Sequence, residues 1–110
     1  MRKPVVLITG ANGEMGHVLV ANLAQQRNLA VVALDLNPLD RQLAHLVQRE
    51  VTGSILDSNL LERLLAEFEI DLIFHLAALL SSRAEFTPMA AHHVNVEGTL
   101  NLLEFAVRQA

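Results

Sequence analysis

Three features of the sequence predict an α/β fold, a doubly wound parallel sheet with helices on both faces. Short apolar runs alternate with helix-period segments in the order β-α-β-α-β-α-β-α. The first two runs, Val5 to Ile8 and Leu29 to Leu34, are continuous rather than alternating. Strands covered on both faces read that way. Between the first run and the first helix lie Gly10, Gly13 and Gly16. Right-handed crossovers and one reversal of direction give the predicted strand order 3-2-1-4. Residues 1–110 form one domain by length.

Each element has its own signal. Pro4 to Thr9 is a buried strand. Gly13 to Gln26 is a helix with Met15, Val18, Leu19, Leu23 and Ala24 on its apolar face. Leu29 to Leu34 is a second strand, stopping at Asp35. Asn37-Pro38 opens a short helix, with Leu39, Leu43, Leu46 and Val47 inward. Glu50 to Ile55 is a weaker third strand containing Gly53. Asp57-Ser58-Asn59 supplies an N-cap for a helix over Leu60 to Phe68. Asp71 to His75 is a fourth strand, Leu76 to Phe86 a loop, and Thr87-Pro88 starts a helix that runs to about Arg108.

Composition narrows the partners. The chain is 52% hydrophobic but has four Phe and no Trp or Tyr, so its core is aliphatic. A net charge of −4 without a Lys/Arg cluster argues against nucleic acid. The absence of cysteine excludes a disulfide scaffold and thiol chemistry, and accords with a cytoplasmic home. Arg2-Lys3 and the run that follows are too short for a signal peptide. The longest apolar run, Leu72 to Leu80, is too short to span a bilayer, so no membrane partner is expected. No metal site is read either. His92 and His93 are adjacent on a predicted helix and point apart, and no paired carboxylates suggest glycosidase chemistry.

The glycine stretch is built for a phosphate. Gly10 permits a sharp turn, Gly13 lets a pyrophosphate approach the backbone, and Gly16 brings the helix close. The helix start then offers N–H groups and a positive dipole end to the anion. The spacing is G-x-x-G-x-x-G, placed after a strand and before a helix as the motif requires. Asp35 follows about 20 residues beyond the glycines, where an acid accepts the adenosine ribose hydroxyls. Its charge would repel a 2′-phosphate and so favours NAD over NADP. The same Asp would also serve as a strand-end cap for the next turn. His17 is either close to a phosphate or on the surface, and His75 is expected to be bonded to backbone.

Thr9-Gly10-x-x-Gly13-x-x-Gly16, Asp35, His75-Leu76-Ala77-Ala78 and Asn95-Val96-x-Gly98-Thr99-x-Asn101-Leu102-Leu103 resemble the extended short-chain dehydrogenase/reductases. That group includes the NAD-dependent nucleotide-sugar epimerases and dehydratases, with a Rossmann-type fold. The resemblance implies that Gly10, Asn12, Gly13, Glu14, Met15 and Gly16 line the pyrophosphate, largely through backbone. It implies that Asp35 holds the ribose. Ser54 and Ile55 stand where relatives carry an Asp-Ile or Asp-Leu pair at the adenine, so Ser54 is the weaker partner. Leu76, Ala77 and Ala78 would pass under the cofactor near the nicotinamide. Asn95 would brace the active-site region or be a surface amide. Ala78-Leu79-Leu80-Ser81-Ser82 is similar to a stretch in threonine 3-dehydrogenases of the same family, which would make Ser81 or Ser82 a substrate contact. A plain polar loop is the other reading.

The resembled chemistry needs a Tyr-x-x-x-Lys pair. This sequence has no Tyr, and its only Lys is Lys3, so no catalytic residue is assigned. The resemblance therefore implies the N-terminal, NAD-binding part of a longer enzyme that acts on a small-molecule substrate. The sheet would be incomplete at four strands, with the catalytic and substrate-binding portion outside these residues. A homodimer through the last helix is implied as well. The alternative is a non-catalytic dinucleotide-binding or redox-sensing module.

Overall fold

The computed structural model describes residues 3–26, 28–76 and 97–109. Four strands form one sheet: β1 (Val5–Thr9), β2 (Ala30–Asp35), β3 (Arg49–Thr52) and β4 (Ile70–His75). The helices between and after them are α1 (Glu14–Ala24), α2 (Arg41–Ala44), α3 (Ser58–Glu67) and α4 (Gly98–Gln109). All pairings are parallel and the order is β3-β2-β1-β4, the order predicted.

Alternation along the central strands divides the core in two. Val5 and Leu7 of β1 and Val32 and Leu34 of β2 face Leu60, Leu61 and Leu64 of α3 and Leu102 of α4. Val6, Ile8, Val31 and Ala33 face the other way, toward Val20 of α1 and Leu39 ahead of α2. Register makes this work, because Leu7 lies beside Val32 and Ile8 beside Ala33, so each face is continuous across both strands. The register of β1 against β4 slips between Val5 and Val6. There the Asp71 carboxylate accepts the Val5 N–H at 2.7 Å.

Several predicted boundaries and faces shift. The inner side of α1 carries Gly16 and Val20, with Leu19, Leu23 and Ala24 beside them. Met15 and Val18 are exposed, because they lie off the stripe that Gly16 and Val20 define at a spacing of four. Pro38 lies ahead of α2 rather than inside it. The Asp40 carboxylate takes the Gln42 N–H and starts the helix at Arg41, while the Leu39 N–H donates to the Glu50 carboxylate. Leu39 is buried as expected, but Leu46 is exposed. The third strand stops at Thr52, short of Ile55. Gly53 passes so close to α3 that a Cβ there would lie 2.3 Å from Leu60 Cδ1. The chain then turns, with the Asp57 N–H on the Ser54 carbonyl at 3.0 Å. Of the predicted cap cluster, Asp57 is the cap, accepting from the Asn59 and Leu60 N–H groups, and the helix starts at Ser58 rather than Leu60. Of the predicted last helix, the structure describes the part from Gly98 onward. Among the described residues, no helix is long and apolar enough to cross a membrane.

Candidate dinucleotide site

Parallel strands all deliver their C-terminal ends to one side of the sheet. The residue that follows each strand lines a single cleft: Gly10 after β1, Leu36 after β2, Gly53 after β3 and Leu76 after β4. The cleft encloses about 540 Å³, and Gly13, Glu14, Met15, Gly16, Leu34, Asp35 and Ile55 complete its described lining.

The glycines have separate tasks. Gly10 has φ 68°, a left-handed conformation that only glycine adopts without strain. The turn it makes is closed by the Gly13 N–H on the Gly10 carbonyl at 3.1 Å. At Gly16 a Cβ would lie 2.4 Å from the Ala11 carbonyl oxygen and 2.5 Å from that of Gly10. Its close approach is therefore to the loop backbone. Gly13 is different. Its backbone is extended at φ −81° and ψ 177°, and a Cβ there would meet only the Gly10 oxygen, at an ordinary 3.4 Å. The fold does not require glycine at 13, so the open space above it serves the cleft.

No side chain caps α1. By contrast, Asp40 caps α2 and Asp57 caps α3. The first N–H groups of a helix have no intrahelical acceptor. Those of Glu14, Met15 and Gly16 start α1 at the cleft wall, where the helix dipole is positive. Among the described lining residues none is Lys, Arg or His. Among the described lining residues, peptide dipoles are what would meet an anion here.

Asp35 is the strand-end cap that the sequence offered as one of its two readings, and it also makes a tie that the sequence did not foresee. Its Oδ1 accepts the Asn37 N–H at 2.9 Å, which forms the cap of the following turn. Its Oδ2 accepts the Asn12 N–H at 2.9 Å and so ties the glycine loop to β2. Each carboxylate oxygen retains a second lone pair for a ligand hydroxyl. The Ala11 N–H reinforces the tie through the Leu34 carbonyl at 3.2 Å.

The structure separates two residues from the cleft. Asn12 has its N–H on Asp35 and its side-chain oxygen on the Asp40 N–H at 3.3 Å and His17 Nε2 at 3.0 Å. It braces the loop from behind rather than lining the described cleft. His17 is thereby bonded to Asn12. The Ser54 hydroxyl accepts the Leu56 N–H at 3.0 Å and is likewise outside the described lining. Ile55 lines the cleft from the core, only 5% exposed. Its Cδ1 would be 2.2 Å from a Cβ on Gly98, so that glycine seats α4 over Ile55. Asn101 Nδ2 holds the same turn through the Ile55 carbonyl at 3.0 Å.

His75 is not backbone-bonded as expected. Its ring joins two threonines, with Nδ1 2.7 Å from Thr9 Oγ1 and Nε2 3.0 Å from Thr99 Oγ1. Burial pulls its pKa below the ordinary histidine value. Ala77, Ala78, Ser81, Ser82, His92, His93 and Asn95 lie outside the described residues. Leu34, Leu36 and Gly53 line the cleft without having been singled out from the sequence. The signal that finds Leu36 and Gly53 is positional, since each directly follows a parallel strand. Among the described residues there is no group of three metal-ligating side chains.

Comparison with known proteins agrees with this geometry. The model of the NAD dependent epimerase/dehydratase family matches residues 6–110. The chain is 36% identical over 104 residues to D-erythronate dehydrogenase of Haemophilus influenzae, covering 90% of this chain and 32% of that one. It is 34% identical over 104 residues to dTDP-4-dehydrorhamnose reductase of Aggregatibacter actinomycetemcomitans, covering 94% of this chain and 31% of that one. Among solved structures it matches L-threonine dehydrogenase from Clostridium difficile with a TM-score of 0.82 at 30% identity, covering 99% of this chain and 34% of that one. The chain thus spans about a third of the length of these relatives. With a Rossmann-type sheet, a glycine turn opening on an uncapped helix and a strand-end acid at its side, the chain belongs to the NAD dependent epimerase/dehydratase family.

Proposed function

We propose that the cleft holds NAD and that the chain is the NAD-binding N-terminal part of an epimerase, dehydratase or dehydrogenase. The substrate class is a nucleotide sugar or a small hydroxy compound. The observation that carries this reading is the uncapped start of α1, which opens on a cleft beside Asp35 and above the side-chain-free Gly13. In this reading the pyrophosphate rests on the N–H groups of Glu14, Met15 and Gly16. Asp35 accepts the adenosine ribose hydroxyls, Leu36, Gly53 and Ile55 form the adenine walls, and Leu76 supports the nicotinamide half. The described lining offers no cation to a 2′-phosphate, which supports NAD over NADP.

NAD supplies the hydride acceptor. The hydroxyl proton needs a positioned acid–base. With no Tyr and Lys3 alone, these 110 residues hold no Tyr-x-x-x-Lys pair, and we place that function, with substrate recognition, on the remaining portion of a longer enzyme. We further propose a cytoplasmic enzyme that dimerises through α4, whose Leu100, Leu103 and Val107 are exposed. Calorimetric titration tests the cofactor reading. The folded chain is expected to bind one NAD saturably and NADP more weakly. A chain shown folded by circular dichroism that takes up neither overturns it.

A further inference from the structure

Thr9 closes β1 immediately before the glycine turn, and Leu76 follows β4 on the cleft wall. The Leu76 N–H points at Thr9, 3.1 Å from its Oγ1 and 3.1 Å from its carbonyl oxygen. A backbone N–H can only donate, so the Thr9 hydroxyl is an acceptor on that side. Its own proton then suits His75 Nδ1, 2.7 Å away. This leaves Nε2 to carry the ring proton toward Thr99 Oγ1 at 3.0 Å. With the Thr9 proton on Nδ1, the bonds run in one direction, from Leu76 through Thr9 to the ring and on to Thr99. Such a chain polarises each member in turn. Thr9 is fully buried, His75 and Thr99 are half-buried, and burial pulls the His75 pKa below its ordinary value, which favours the neutral ring.

We infer that Thr9, His75 and Thr99 form a fixed hydrogen-bond relay by which α4 positions the Leu76 main chain at the cleft. Thr99 is then a positioning residue, absent from the described lining of the cleft and reaching it through His75. His75 is held as the Nε2–H tautomer. The consequence for NAD affinity rests on the function proposed above, whereas the relay itself does not.

Nitrogen-15 NMR of the unliganded chain tests the relay directly. The expected result is a single His75 tautomer protonated at Nε2, with Nδ1 shifted as an unprotonated acceptor. Thr99→Val is expected to average the two ring nitrogens and to move the Leu76 amide resonance, and Thr99→Ser to restore both. Ring shifts averaged between tautomers in the wild-type chain, or protonation at Nδ1, overturn the relay without any variant. A Leu76 amide unmoved in folded Thr99→Val overturns it as well. For NAD, Thr99→Val is expected to weaken binding up to about tenfold, the factor that the net contribution of one hydrogen bond allows. Thr99→Ser is expected to recover it. Unchanged affinity in Thr99→Val refutes the positioning role. Failure of the folded wild-type chain to bind NAD refutes the proposed function and its affinity consequence together, and the ring and amide shifts still decide the relay.

Discussion

Replacing Gly13 by Ala separates what the fold needs from what the ligand needs. The residue is extended at φ −81° and ψ 177°, so Ala fits the backbone. The new methyl meets the Gly10 oxygen at 3.4 Å and nothing closer. Loss of unfolded-state freedom favours Ala by about 0.4–1 kcal/mol. Gly13 is also the N-cap of α1, where Ala is poorer than Gly by a similar amount. The two effects offset, and the melting temperature should move by only a few degrees. Binding behaves differently, because the methyl occupies the floor on which the pyrophosphate would rest. Losing one charge-assisted hydrogen bond costs about 1.5–3 kcal/mol, which is roughly a tenfold to hundredfold loss of NAD affinity. Gly16→Ala is the counterpart. Its Cβ would sit 2.4 Å and 2.5 Å from two carbonyl oxygens, so α1 must lift from the loop. Overpacking of this kind costs about 1–3 kcal/mol, and the melt should fall by several degrees. Calorimetry with NAD and thermal melts by circular dichroism read both effects. Wild-type NAD affinity in Gly13→Ala, or a melt as low as that of Gly16→Ala, refutes the division of roles between the two glycines.

Asp35→Ala is expected to weaken NAD and narrow its advantage over NADP, read as the ratio of the two dissociation constants. It also removes the acceptor for the Asn12 and Asn37 N–H groups, so a stability loss of about 1–3 kcal/mol should accompany it in urea denaturation. Asp57→Ala deletes the cap that takes two N–H groups of α3 and should cost about 0.5–2 kcal/mol while leaving NAD affinity unaltered. The pH profile should report His75. Its folded-state pKa lies below the unfolded value of about 6.5, so the unfolded chain binds more protons between the two. Stability from this group is complete above that unfolded value and declines as pH falls toward the folded pKa. Melts between pH 8 and pH 5 should show the decline, and His75→Gln should reduce it; an equally steep profile in the variant removes His75 as the source.

Much of the fold was legible because its signals are local. Continuous apolar runs marked β1 and β2, and the cluster Asp57-Ser58-Asn59 marked the start of α3, since a carboxylate beside free N–H groups acts within one turn. Local signals failed where a distant contact decided. Gly53, just past β3, leaves no room for a side chain against Leu60 of α3, and the N–H of Leu39, ahead of α2, is taken by Glu50 of β3. Met15 and Val18 read as inward from apolarity alone, but the tight seat of Gly16 on the loop fixes the rotation of α1 and turns both outward.

The candidate site divides along the same line. Sequence by itself determined the glycine turn, the acid at the end of β2 and the order of strands. These depend on backbone permissiveness, spacing and handedness, all of which act over short stretches. Only the tertiary structure decided that Gly10, Leu36, Gly53 and Leu76 share one cleft, since residues distant in the chain meet there through parallel registry. It alone turned Asn12 to the back of the loop and joined His75 to Thr9 and Thr99, because hydrogen-bond partners are chosen by proximity across the sheet and not by position in the sequence.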